Sequence, residues 1–278
     1  GNMLVVHLFV AVRDAMGANA VNTYCENVAP YLEEITGGRS VLKIISNLAV
    51  NRLARATAVW KKDVIGSDIV EGVLDAYEFA KVDSFRAATH NKGVMNAVDS
   101  ILIATSNDWR AVEAGAHAYA SISGRYGPLT RYEKNRHGDL VGHIELPMAV
   151  GLVGGATKVH PVARVSLKIL NVKSSGELGE IVAAVGLANN FAALRAMVKD
   201  GIRRGHMKLH ATNIAHMAGA HGPEIEAVAK RLVEEDNITF SRAKEVVGIV
   251  RHELRKEKID KIIKRVKKKV RKKVRHEN

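Results

Sequence analysis

A single cysteine, Cys25, in 278 residues excludes a disulfide framework. A lone thiol suits a reducing compartment, and the expectation is a cytoplasmic protein. No apolar run approaches the ~20 residues of a membrane-spanning helix, and no basic-then-apolar leader opens the chain. The GxGxxG fingerprint of dinucleotide sites is missing, and so is the GK[ST] ending of a phosphate loop. His206 and His210 have the i, i+4 spacing of a zinc helix. Met207, however, stands where HExxH has its glutamate and no third ligand is in view, so no metal is expected. The first residue is Gly1, and Met3 leads straight into strand-like sequence. That start reads as the middle of a fold.

Apolar residues make up 47% of the chain and charged residues 26%, the composition of a globular protein with a sizeable core. The net charge of +13 is concentrated at one end. Residues 251–278 hold fourteen Lys/Arg against four Asp/Glu, a local +10, and the other 250 residues are close to neutral. A neutral body with a basic tail is not the pattern of a nucleic-acid-binding domain. In the tail Ile259, Ile262, Ile263, Val266, Val270 and Val274 fall mostly at steps of three and four among lysines, a basic amphipathic helix. One reading is a solvated terminal extension. The other is a contact with an anionic membrane surface, because no aromatic residue follows Phe240 to stack on bases.

Along the chain, 3–12 (MLVVHLFVAV) is β-branched and apolar and predicts a buried strand. Arg13 to Gly17 forms a turn, and 18–36 has helical spacing that stops at Gly37-Gly38. Strand, glycine turn and helix start can offer backbone N–H groups to a phosphate. Residues 41–49 and 55–60 predict two more strands around Ser46-Asn47. A helix is expected over 69–80 with Ser67 and Asp68 as caps, loop over 121–135, and an extended segment over 142–150. The glycines of 151–158 (GLVGGATK) point to close backbone approach. A buried helix follows over 175–200, a further helix starts at 203, and amphipathic helices cover 224–250 with Ser241 as a cap.

The stretch 86–120 carries the most chemistry. Lys92 lies in a polar, turn-like cluster, Thr89-His90-Asn91-Lys92-Gly93, and Asp108 lies in a second, Ser106 to Arg110, across an apolar run at 101–104. Burial of either charge costs several kcal/mol unless it is paired. A Lys92–Asp108 pair is therefore either a structural ion pair or part of a site.

THNKG followed by NDWRAVEAGAHAYA resembles the class II branch of hydroxymethylglutaryl-CoA reductases. RDAMGANAVNT (13–23), LPMAVGLVGGATKVHP (146–161) and RRGHMKLHATNIA (203–215) match the same family in the same order. The resemblance implies catalytic roles for Lys92, Asp108 and His206, the last as general acid toward the departing thiolate. It implies cofactor contacts from Asp14, Met16, Gly17 and Asn19 in DAMGAN, and substrate contacts from Arg86, Asn47 and Asn96. From its residues alone, Asn47 reads equally well as a turn asparagine. Glu26-Asn27-Val28 mimics the family's catalytic ENVIG motif, but Ala29-Pro30 follows and Glu26 is not assigned. The glutamate of the true motif is expected upstream of Gly1.

The implied fold is α+β. It comprises the C-terminal part of a ferredoxin-like dinucleotide-binding domain at 1–46 and a large mixed helix/sheet domain for the CoA ester at 47–202. A helical flap at 203–250 and the basic tail at 251–278 complete it. The implied reaction reduces hydroxymethylglutaryl-CoA to mevalonate and CoA with two NADPH or NADH, in a homodimer or higher homo-oligomer whose active site lies at the interface. Three readings remain: a reductase truncated at its N-terminus, an incomplete subunit needing a separate N-terminal chain, and a degenerate core with a membrane- or RNA-binding tail. Joint presence of Lys92, Asp108 and His206 argues against the third.

Overall fold

The structure, a computed structural model, describes residues 3–199 and 202–274, the side chains of 156, 202–206, 208, 209, 257, 258 and 260–274 excepted. It is a mixed helix and sheet fold in two units, Gly1–Val198 and Lys199–Asn278.

In the first unit α1 (Ala18–Thr36) precedes β1 (Leu53–Trp60), α2 (Lys62–Ile65), α3 (Ser67–Val82), α4 (Ser84–Ala104) and α5 (Trp109–Tyr119). Strands β2 (Thr130–Lys134) and β3 (Leu140–Pro147) follow, then α6 (Gly155–Val159), α7 (Pro161–Leu170) and α8 (Ser175–Lys199). The sheet is antiparallel in the order β1-β3-β2, with Leu53 opposite Pro147, Trp60 opposite Leu140 and Thr130 opposite Ile144. Alternation sets its two faces. Ala54, Tyr132, Leu140, Ile144 and Leu146 point into the core, while Arg55, Thr57, Arg131, His143 and Glu145 line the outer face. Against the inner face lie Val94, Met95, Val98 and Leu102 of α4 and Leu178, Val182, Leu187 and Leu194 of α8. Trp60 stacks on Phe191 of α8 at 4.2 Å between centroids. Each buried leucine contributes about 2 kcal/mol, and this layer is what holds α4 in place.

Several sequence expectations are corrected. THNKG is not a turn but the second and third turns of α4, because His90, Asn91 and Gly93 are buried and bonded to other elements. Residues 3–12 and 41–49 form no strand among the described residues. They run without a ladder partner, and Met3, Leu4, Phe9, Leu42 and Ile44 are exposed; a strand needs a neighbour's backbone as well as β-branched sequence. Of the expected cofactor domain the described residues therefore contain α1 and no strand. The loop expected over 121–135 ends in β2. Ser67 and Asp68 lie inside the first turn of α3, with Gly66 at its N-cap. Helix α8 is long and apolar enough for a membrane span. Ten of its residues are buried, among them Asn190, so it serves here as a core helix.

The second unit holds α9 (Ile202–Met217), α10 (Pro223–Glu234) and α11 (Phe240–Val274) around a small core of Ala211, Ala215, Val228, Leu232, Val246 and Val250. Alanines on α9 let the other helices approach closely. Thr239, not Ser241, caps α11: its hydroxyl accepts from Arg242 N at 3.3 Å. Helix α11 runs unbroken through residue 250, where the tail was expected to begin. The basic face expected of the tail lies, from 260 on, outside the described side chains.

Candidate functional site

Helix α4 starts where Asp83 accepts from Arg86 N at 2.9 Å, an N-cap bond. Two adjacent side chains then pin it. Asn91 Oδ1 accepts from Leu129 N at 2.8 Å, and its Nδ2 donates to Gly127 O at 2.9 Å and to Tyr126 Oη at 3.0 Å. His90 is 1% exposed, and its Nε2 lies 2.6 Å from Thr130 Oγ1. The Thr130 hydroxyl donates to Asn190 Oδ1 at 3.2 Å, so His90 Nε2 carries the proton and Nδ1 is a bare, unpartnered acceptor. Asn190 Nδ2 donates back to His90 O at 3.0 Å, and Tyr132 Oη donates to Asn190 Oδ1 at 2.9 Å. Burial, and then the Arg86 charge, push His90 down to about 4.

This anchoring fixes the direction of the expected site residues. Lys92 and Asn96, one turn apart, share a face of α4, and both are exposed. Arg86 is half-buried with no carboxylate partner among the described residues; its Nη2 lies 3.9 Å from Met197 Sδ, and burial disfavours its charge. Asp108 caps α5, accepting from Ala111 N at 3.1 Å. The structure does not bring Lys92 and Asp108 together. From Lys92 to Ala104 the helix rises about 18 Å, and Asp108 lies beyond that end. Asp99, on the Lys92 face, has a buried Oδ1 without a partner. Burial, and then Glu113, push it up to about 6. Asn47 is exposed, and its carbonyl lies against Gly115 of α5.

The expected cofactor residues lie at the start of α1. Gly17, at φ 102°, is its N-cap, and no side chain caps the first turn. A side chain there would be strained and would meet Val12 at 2.7 Å. The N–H groups of that turn have no intrahelical acceptor, a donor set that fits a phosphate. Asn19 is exposed beside them. Asp14 is already engaged: its Oδ1 accepts from Ser175 N at 2.8 Å, and its carbonyl accepts from Leu152 N at 2.9 Å. Gly151 permits this docking, since a Cβ there would fall onto Met16 N. Arg52 spans the same junction and was not singled out from sequence. An arginine directly before a strand, between Asn51 and Leu53, was the available signal.

His206 lies in α9, and its side chain is outside the described residues. Among the described residues no group of three His, Cys, Asp or Glu could hold a metal. A cavity of about 690 Å3 on the outer sheet face is lined by Arg55, Tyr77, Arg131, His143 and Glu145, and by none of the expected site residues.

A model of the hydroxymethylglutaryl-coenzyme A reductase family matches residues 1–211. The reductase of Archaeoglobus fulgidus is 60% identical over 252 residues, covering 90% of this chain and 58% of that protein. A probable reductase of Borreliella burgdorferi is 39% identical over 222 residues, covering 76% of this chain and 50% of that protein. The class II reductase of Streptococcus pneumoniae, solved bound to NADPH in open conformations, superposes with a TM-score of 0.67 at 41% identity. That match covers 86% of this chain and 60% of the solved one. The chain thus spans 50 to 60% of the length of these relatives. With four motifs in order and a pinned α4 beneath the central one, the chain belongs to the hydroxymethylglutaryl-coenzyme A reductase family.

Proposed function

We propose that this chain, at the length of its relatives, reduces hydroxymethylglutaryl-CoA to mevalonate and CoA with two NADPH or NADH. The observation that carries the reading is Lys92, an exposed ammonium without an acidic partner among the described residues, on a helix whose neighbouring residues are locked by buried hydrogen bonds. Each reduction places negative charge on a carbonyl oxygen, and a preorganised ammonium there contributes about 3–4 kcal/mol in the transition state. Arg86 suits the substrate carboxylate through its guanidinium fork, with Asn96 and Asn47 as further contacts. Asp108 of a second copy of the chain holds Lys92, since the length of α4 separates the two within one chain, and His206 protonates the thiolate of CoA as it leaves. Gly17 and Asn19 present the first turn of α1 to the diphosphate of the dinucleotide, which supplies hydride when bound. The engaged Asp14 carboxylate supports a contact through the motif's backbone more than through its own oxygens.

In this reading 1–46 belongs to the dinucleotide-binding domain, 47–202 to the CoA-ester domain and 203–250 to the flap. The protein acts as a homodimer or higher homo-oligomer. The test expresses the protein at the full length of its relatives and follows cofactor oxidation with the CoA ester. Two cofactors consumed per mevalonate are expected. Lys92→Ala should abolish turnover while leaving CoA-ester binding within about threefold. A raised KM with unchanged kcat would make Lys92 a binding residue and sink the assignment.

A further inference from the structure

Arg52 lies one residue before β1, with its guanidinium half-buried. Its Nη1 donates to the carbonyls of Ala15 at 3.1 Å and Met16 at 3.0 Å, and its Nη2 donates to Val150 O at 2.8 Å and approaches Ser175 Oγ at 3.5 Å. Among the described residues no carboxylate is bonded to it; burial disfavours its charge, and Asp14 opposes that effect. Besides the bond from Ser175 N to Asp14 Oδ1, three more close the same junction. Asp14 O accepts from Leu152 N and Val153 N, and the Ser175 hydroxyl donates to Arg13 O at 3.1 Å. The turn at 13–16 has no strand ladder to hold it. Its geometry comes from side chains and loop amides that reach it from the large body of the unit.

We propose that Arg52 is a positioning residue for dinucleotide binding, fixing the carbonyls of Ala15 and Met16 so that Gly17 and the first turn of α1 face a diphosphate at a set angle. This rests on the reading of 14–19 as the dinucleotide motif. A planar fork with several donors spans acceptors from three chain segments at once, which an ammonium cannot do. Loss of the fork leaves partly buried carbonyls without donors and frees the turn to rotate. Arg52 makes no contact with Lys92 or Arg86, so the CoA-ester side should be untouched.

The experiment measures NADPH affinity and the KM for hydroxymethylglutaryl-CoA in the chain at its relatives' length, for the wild type, Arg52→Lys and Arg52→Gly, the last with and without millimolar guanidinium ion. In parallel, amide exchange is followed in the 278-residue chain. The expected result is a weakening of NADPH binding of about tenfold or more, a CoA-ester KM within twofold, and recovery of Arg52→Gly by guanidinium. Exchange of the Ala15, Leu152 and Val153 amides should quicken in Arg52→Lys while the sheet amides keep their rates. Unchanged NADPH affinity, or parallel loss for both ligands without rescue, overturns the proposal. A wild type that binds no NADPH overturns it too, but by removing the reading of 14–19, which the variants alone could not do.

Discussion

His90 and Asp99 sit three helical turns or less apart on α4 and respond to acid in opposite directions. The folded state holds His90 neutral down to about 4, whereas the unfolded chain protonates it near 6.5. Its contribution, roughly 3 kcal/mol by linkage, is complete above pH 6.5 and is lost as pH falls toward 4. Asp99 is held protonated up to about 6, against 3.8 when unfolded. Its contribution is complete below pH 3.8 and is lost as pH rises through 6. Between pH 4 and 6.5 the two offset each other. Replacing Asp99 by Asn should therefore leave His90 unopposed, and urea midpoints measured from pH 7 to pH 4 should fall more steeply than in the wild type. An unchanged slope would show that Asp99 ionises normally in the fold.

Among the elements, α4 matters through what pins it. Asn190 of α8 joins α4 to β2 through the hydroxyls of Thr130 and Tyr132 and the carbonyl of His90. Asn190→Ala should leave both hydroxyl protons without an acceptor, remove the second donor to the His90 carbonyl, and cost about 2–4 kcal/mol in urea unfolding. A loss under 1 kcal/mol would mean that water replaces the amide. This pin also explains why THNKG was misread. Thr, His and Asn followed closely by Gly carry turn chemistry locally, and the partners that override it lie thirty-five to a hundred residues away. The helix at 18–36 and the strand at 55–60 were legible because their spacing and glycine stop are local. Strands at 3–12 and 41–49 were expected from composition alone, yet pairing is a property of neighbours. Lys92 was legible by its motif, whereas Arg52 was not, because its acceptors are backbone atoms that carry no residue signature.

At the scale of the whole molecule, the division at 198/199 leaves a helical unit whose last helix continues past the expected tail boundary. Arg251 donates to both carboxylate oxygens of Glu224, at 2.9 and 2.8 Å, and to Gly219 O at 3.0 Å, and Leu254 packs on the second core. Deleting 251–278 should therefore lower the melting temperature of the second unit. Loss of Leu254 packing alone contributes about 1 kcal/mol to that effect. Equal melting of the shortened and intact chains would support the expected boundary at 250. The length of α4 carries a different consequence. If Lys92 and Asp108 must meet to work, the geometry of one chain forbids it, and each reaction centre draws the two groups from different copies. Two inactive variants, Lys92→Ala and Asp108→Ala, should then complement one another when their subunits are mixed and allowed to exchange. Half of the pairs are mixed, and each mixed pair rebuilds one of its two centres, so about one quarter of wild-type turnover should return from two dead proteins.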